Sequence, residues 1–133
     1  MAQFTIDDGK GTPVAHVFSQ DAQQNGSDPA EFVNRSNTNG PSFWERMMSW
    51  ATLSKGKSNP HVVKLKLQRP IAGVDVNSNP IVKGKHEAIL TLLIDPTVTA
   101  ESDVLDTVVM MANLVDLTWV RTQIKQFAPL LAP

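Results

Sequence analysis

The residues whose type and spacing best suit chemistry are lysines. In "HVVKLKLQRP", residues 61–70, Val63, Leu65 and Leu67 alternate with Lys64, Lys66 and Gln68. Side chains of a strand point to opposite faces with period two, so this stretch presents an apolar row and a cationic row back to back. "IVKGKHEAILTLLID", residues 81–95, repeats the design: Lys83, Lys85, Glu87 and Thr91 share one parity, and Gly84, His86, Ala88, Leu90, Leu92 and Ile94 the other. Lysines on a rigid strand can neutralise phosphates and release their counterions. They also keep an exposed strand soluble, which is their commoner use.

Other chemistry finds little support in the residues. His16, His61 and His86 fall in separate strand contexts without metal-ligand spacing, and there is no cysteine to complete a zinc site, so neither a metal nor a cofactor is expected. No glycine-rich phosphate loop follows a strand, and the "KGK" triplets at 55–57 and 83–85 are too short to cradle a phosphate. The serines lack a nucleophile elbow, and the carboxylates sit mainly in turns and helix starts; an enzyme is not expected. Trp44, Trp50 and Trp119 could stack on bases beside lysines, although core packing is the commoner use of tryptophan. Met47, Met48, Met110 and Met111 read as core or interface filling.

Charge is distributed unevenly. The formal net charge of −1 argues by itself against a polyanionic partner. The segments at 1–42 and 94–133, however, each carry two cations against five carboxylates, whereas 43–93 carries eight cations against three. Positive charge therefore concentrates where the chain reads as sheet, and such asymmetry builds a local field that the total hides. At 133 residues a single domain, 1–133, is expected. No uncharged apolar run approaches the roughly 18 residues of a membrane-spanning helix, so no membrane partner is expected. The start "MAQFTIDDGKG" lacks a secretion signal, and cytoplasmic synthesis is the expectation.

Positioning the lysines requires a sheet. Residues 1–20 read as a hairpin turning at Asp8, Gly9 and Gly11, with Pro13 at the start or edge of the returning strand. Residues 30–95 read as further sheet. Ala30–Ser36 forms a short strand, and 43–53 a strand in preference to a helix, with "SKGKSNP" as its hairpin loop; Pro70 and "AGVDVNSNP" then break the pattern. Residues 99–128 read as two helices. Thr99 is the expected cap of the first, with Glu101 and Asp103 near its positive end. In 104–115 nine of twelve residues are apolar, too many for a helix covered on one side only. After a break near Asp116, Leu117, Val120, Ile124 and Phe127 recur at helical spacing until Pro129. Strands first and helices last describe an α+β domain: an antiparallel meander whose apolar face meets the helices and whose lysine face stays bare.

This layout, with "NPHVVKLKLQRP" and "KHEAILTLLIDPTVTAESDVLDTVV" as its clearest stretches, resembles the coat proteins of small single-stranded RNA bacteriophages. The resemblance implies an intertwined dimer whose helices reach over the partner, with Val104, Leu105, Val108, Val109, Met111 and Ala112 at the dimer interface. It implies dimers assembling into an icosahedral shell in the cytoplasm of a bacterial host, with the sheet turned toward the packaged RNA. It also implies RNA contacts at Lys64, Lys66, Lys83, Lys85, Glu87 and Thr91, and more weakly at Arg46, Lys55 and Lys57. Coat dimers of this kind can bind an RNA hairpin and repress replicase translation. Here Trp44, Met48 and Trp50 share parity with Arg46 where the family often has smaller polar side chains, so no particular hairpin is carried over. The alternatives are a nucleic-acid-binding dimer that forms no shell and a small α+β enzyme.

Overall fold

Alternating apolar and polar residues fold into six strands and two helices in the computed structural model, which describes residues 2–127. The strands are β1 (Gln3–Asp7), β2 (Ala15–Ala22), β3 (Ala30–Asn34), β4 (Glu45–Thr52), β5 (His61–Val74) and β6 (Pro80–Ile94). They form one antiparallel sheet in sequence order, so the N-terminal hairpin joins the same sheet as the meander. The helices are α1 (Glu101–Asp116) and α2 (Thr118–Lys125). A short 3-10 turn, Pro41–Phe43, leads into β4.

Side-chain carboxylates set the hairpin turns. Asp8 Oδ1 accepts from the backbone amides of Val14 at 3.0 Å and Lys10 at 3.3 Å, closing the β1–β2 turn. The Val14 amide above all, helped by Lys10, holds the Asp8 carboxyl below its ordinary value. Asp75 does the same between β5 and β6, accepting from the amides of Asn79 and Asn77 at 2.9 and 2.8 Å while Ser78 takes a left-handed φ of 63°. The expected break at Pro70 and "AGVDVNSNP" is therefore a continuous strand ending in a tight hairpin. Pro70 is tolerated because the β4 ladder stops at the Arg46–Gln68 pair, leaving β5 with an open edge on that side, where a residue without an N–H fits.

The core within the chain is small. Phe4 stacks on Phe18 at 5.3 Å between ring centroids and meets Phe32 edge-on at 5.1 Å, gathering β1, β2 and β3. Among the described residues only Phe18, Val33, Val120 and Asn34 are buried. Thr99 does not cap α1: Ala100 takes the cap position, with no side-chain bond, and Asp95 instead accepts from the hydroxyl and amide of Thr97 in the turn before the helix. Extended backbone at Leu117 separates the helices, in agreement with the expected break near Asp116. Phe127 lies past the end of α2 and is almost fully exposed; the expected stop at Pro129 and the 128 boundary lie outside the described residues.

The helices correct the expected architecture in one respect. They pack on each other, yet among the described residues neither forms a packed layer on the sheet of its own chain. No residue of α1 is buried, and Leu105, Val109 and Met110 are 53%, 54% and 72% exposed. The apolar row of β5 and β6 is only partly covered by the chain that carries it: Val63, Leu67, Leu90, Leu92 and Ile94 are half-buried and Leu65 is 39% exposed. The reason is the connection after β6: α1 starts beside Leu92 and Ile94, where Val104 and Thr107 line a shared hollow, and continues beyond the sheet.

The two turn carboxylates predict an acid dependence. A carboxyl held below its ordinary value in the folded state lends stability that is complete above the ordinary range and is lost progressively as pH falls from there toward the lowered value, because the unfolded chain takes up protons first. Asp8→Asn and Asp75→Asn are expected to lower stability at neutral pH and to lose less of the remainder on acidification to pH 3 than the unmodified chain. Urea melts at the two pH values measure this; parallel losses in all three proteins would exclude the carboxylates as its source.

Candidate nucleic-acid interface

The ladder registers decide which side chains share the lysine face. Lys64 lies opposite Trp50 on β4 and Thr91 on β6; Lys66 lies between Met48 and Ile89; Gln68 lies between Arg46 and Glu87; Pro70 lies opposite Lys85. Paired residues in an antiparallel ladder point to the same face. Arg46, Lys64, Lys66, Lys85, Glu87 and Thr91 are thus brought together on three adjacent strands. The register also places Trp50 here, and Trp44, just before β4, lines a hollow with Arg46, Gln68 and Lys85; both are half-buried on the lysine face and not in the core that their residue type favours.

Lys83 departs from its expected place. The β5–β6 register slips between Ile71 and Ala72, which pair with Gly84 and Val82 and leave Lys83 as the extra residue of a bulge. Its side chain lies over Gly73, where an added Cβ would collide with Lys83 Cδ. Gly73 has the parity of Leu65 and Leu67, so Lys83 belongs to the opposite side from Lys64. Parity counted along the sequence cannot see a bulge. Lys55 and Lys57 sit in the exposed β4–β5 loop, beyond the ends of the strands that carry the other cations.

Within the face, charges are arranged as pairs. Glu87 is 3.1 Å from Lys85 Nζ and 3.3 Å from Lys66 Nζ, and accepts from the Gln68 amide at 2.7 Å. The Lys85 ammonium and the Gln68 amide hold the Glu87 carboxyl below its ordinary value, so it stays ionised between two of the lysines. Arg46 pairs with Glu31 at 2.6 Å. Lys64 has no carboxylate partner among the described residues; its Nζ stands 5.4 Å from the centre of the Trp50 ring, a cation–π distance. Arg35, absent from the expected set, lies 5.2 Å over Trp44 and also pairs with Asp21. Neither indole–cation pair has a local sequence signature, because both depend on register.

The opposite face carries a polar cluster at one end of its apolar field. His16 Nδ1 is 2.6 Å from Glu45 Oε2, Asn34 Nδ2 donates to the same oxygen at 3.0 Å, and Arg69 Nε is 3.2 Å from Glu45 Oε1. This accounts for the burial of Asn34. Among the described residues no cluster of histidine and carboxylate has the makings of a metal site. On α1, the expected interface residues Val104, Leu105, Val108, Val109, Met111 and Ala112 are exposed or half-buried, and none touches the sheet as a packed layer.

No family model matches the sequence, and no curated protein does. Solved structures do. The virus-like particle of bacteriophage NT-214 superposes with a TM-score of 0.81 over 98% of both chains at 18% identity. That of bacteriophage ESE058 gives 0.82 over 98% of this chain and 99% of that one at 16% identity. The capsid protein of bacteriophage GA gives 0.69 over 98% and 97% at 20% identity. Similarity of shape over nearly the whole length, without close similarity of sequence, shows that this chain has the fold of these bacteriophage particle and capsid proteins.

Proposed function

We propose that this chain is a capsid protein: a structural subunit that pairs with a second copy, assembles into a closed shell and holds single-stranded RNA against its lysine face. One observation carries the reading. The chain leaves two large surfaces unfinished on opposite sides of one sheet, an apolar field with an uncovered helix on one and a cationic field on the other. On this reading the apolar side is completed by a second copy and the cationic side by polynucleotide. Repression of translation through an RNA hairpin rests on the resemblance alone.

The energetics suit many weak contacts. Each lysine that neutralises a phosphate adds to affinity and to its salt dependence. Copies tied into a shell gain avidity that no isolated site has, so a modest charge per subunit is enough. The Glu87 carboxylate competes with phosphate for Lys66 and Lys85, which moderates the grip. Expression of the chain alone followed by electron microscopy and nuclease treatment tests the proposal. Closed particles containing protected RNA are expected. Monomers or plain dimers at every ionic strength would refute it, and salt-sensitive RNA binding without particles would point to the non-capsid alternative.

Two sets of substitutions follow. Lys64→Ala with Lys66→Ala should weaken RNA binding and flatten its log–log salt slope by about 1.4 for single strands, while Glu87→Gln should strengthen binding; titrations at several salt concentrations read both. Val109→Asp places a charge in the apolar surface to be covered and is expected to abolish particles while leaving the circular-dichroism signature of the fold. Particles formed normally by this variant would remove α1 from the assembly contact.

A further inference from the structure

We propose that His16 is a proton-operated latch that holds the turn end of the N-terminal hairpin to the meander, closed by the imidazolium and loosened by the neutral ring. The latch stands apart from the capsid reading and acts within one chain. The backbone leaves this end of the hairpin poorly supported. The β2–β3 ladder ends at the Ser19–Val33 pair, so among the described residues Ala15–Phe18 have only β1 as a ladder partner. The aromatic contacts among Phe4, Phe18 and Phe32 secure the hairpin as far as Phe18. Beyond them the polar tie to the meander is His16, which reaches past β3 to Glu45 at the start of β4.

Each ring nitrogen faces a carboxylate: Nδ1 stands 2.6 Å from Glu45 Oε2, and Nε2 stands 3.4 Å from Asp8 Oδ2. An ionised carboxylate only accepts and a neutral imidazole has a single N–H, so both contacts are hydrogen bonds only in the imidazolium. In the neutral ring one nitrogen turns its lone pair on a carboxylate oxygen, and that contact becomes repulsive. The neighbouring groups do not replace the ring. Arg69 on β5 holds the second Glu45 oxygen at 3.2 Å, Asn34 on β3 shares the first at 3.0 Å, and the exposed Lys10 reaches Asp8 at 3.1 Å within the turn itself. Asp7 lines the same hollow, and His86 on β6 lies opposite Arg69. Of these groups His16 is the one that touches both Asp8 and Glu45 and so joins the turn to β4. Its side chain is 19% exposed, against 9% for Asp8 and 15% for Glu45, so the ring exchanges protons with solvent while its bonds lie largely out of water. Hydrogen bonds between ionised groups are roughly twice as strong as neutral ones, which makes the proton the main source of the grip.

The test is amide hydrogen exchange of the full chain, read by mass spectrometry and corrected for the intrinsic effect of pH on exchange. It is run on either side of the span from about pH 5 to pH 8 in which histidine ordinarily changes charge. Peptides covering 3–18 are expected to exchange about tenfold faster on the alkaline side, in keeping with the loss of one hydrogen bond to a charged group, while those of β5 keep their protection. His16→Arg, charged throughout and able to donate to both carboxylates, should stay slow on both sides; His16→Gln should be fast on both. Equal protection of the hairpin on both sides in the unmodified protein would overturn the proposal, showing a tie indifferent to the proton. A pH response that survives in His16→Arg would also overturn it, by assigning the response to another group such as His86. Should His16→Gln fail to fold, the unmodified protein and His16→Arg decide between these outcomes.

Discussion

The structure depends on apolar surface that one chain cannot cover. An α-helix with nine apolar residues in twelve and no buried side chain loses the main source of helix stability, which in proteins is packing and not propensity. The same chain leaves the Leu65 side of its sheet open. Both deficits arise from one geometric fact, the departure of α1 from the end of β6 away from its own sheet. They cancel if the helix of one copy lies on the sheet of another, and the coat-protein fold is then the shape of half a packed unit.

Given that constraint, the cationic face follows from period-two alternation. Once Val63, Leu65 and Leu67 are committed to the apolar side, Lys64, Lys66 and Gln68 have only the other side. The register extends the face across β4 and β6, and Glu87 ties Lys66 to Lys85 so that the side chains stand in a fixed array. Negative charge is not excluded from the face: Glu31 and Glu87 both sit within it. The array is a moderate field in which, of Lys64, Lys66 and Lys85, only Lys64 lacks a carboxylate partner among the described residues, and the Trp50 indole stands beside it.

Much of this was legible in the sequence, and the misses have physical causes. The alternation at 61–68 gives the two-faced strand directly, and the excess of apolar residues at 104–115 marks a helix in need of outside cover. The face of Lys83 was not legible, since a bulge reverses orientation without altering composition. In β4 both parities carry apolar or aromatic residues, so only the ladder with Lys64 and Lys66 decides that Trp50 and Met48 face the lysines. Pro70 misled because proline is a breaker only where the strand has partners on both sides. Thr99 misled because the turn before α1 is organised by Asp95 instead.

The most direct measurement is a reconstruction of the assembled protein at side-chain detail. The account predicts α1 of one copy seated over Val63, Leu65 and Leu67 of another, with Lys64 and Lys66 facing interior density. An α1 folded onto its own sheet, or lysines turned to the particle's exterior, would contradict it.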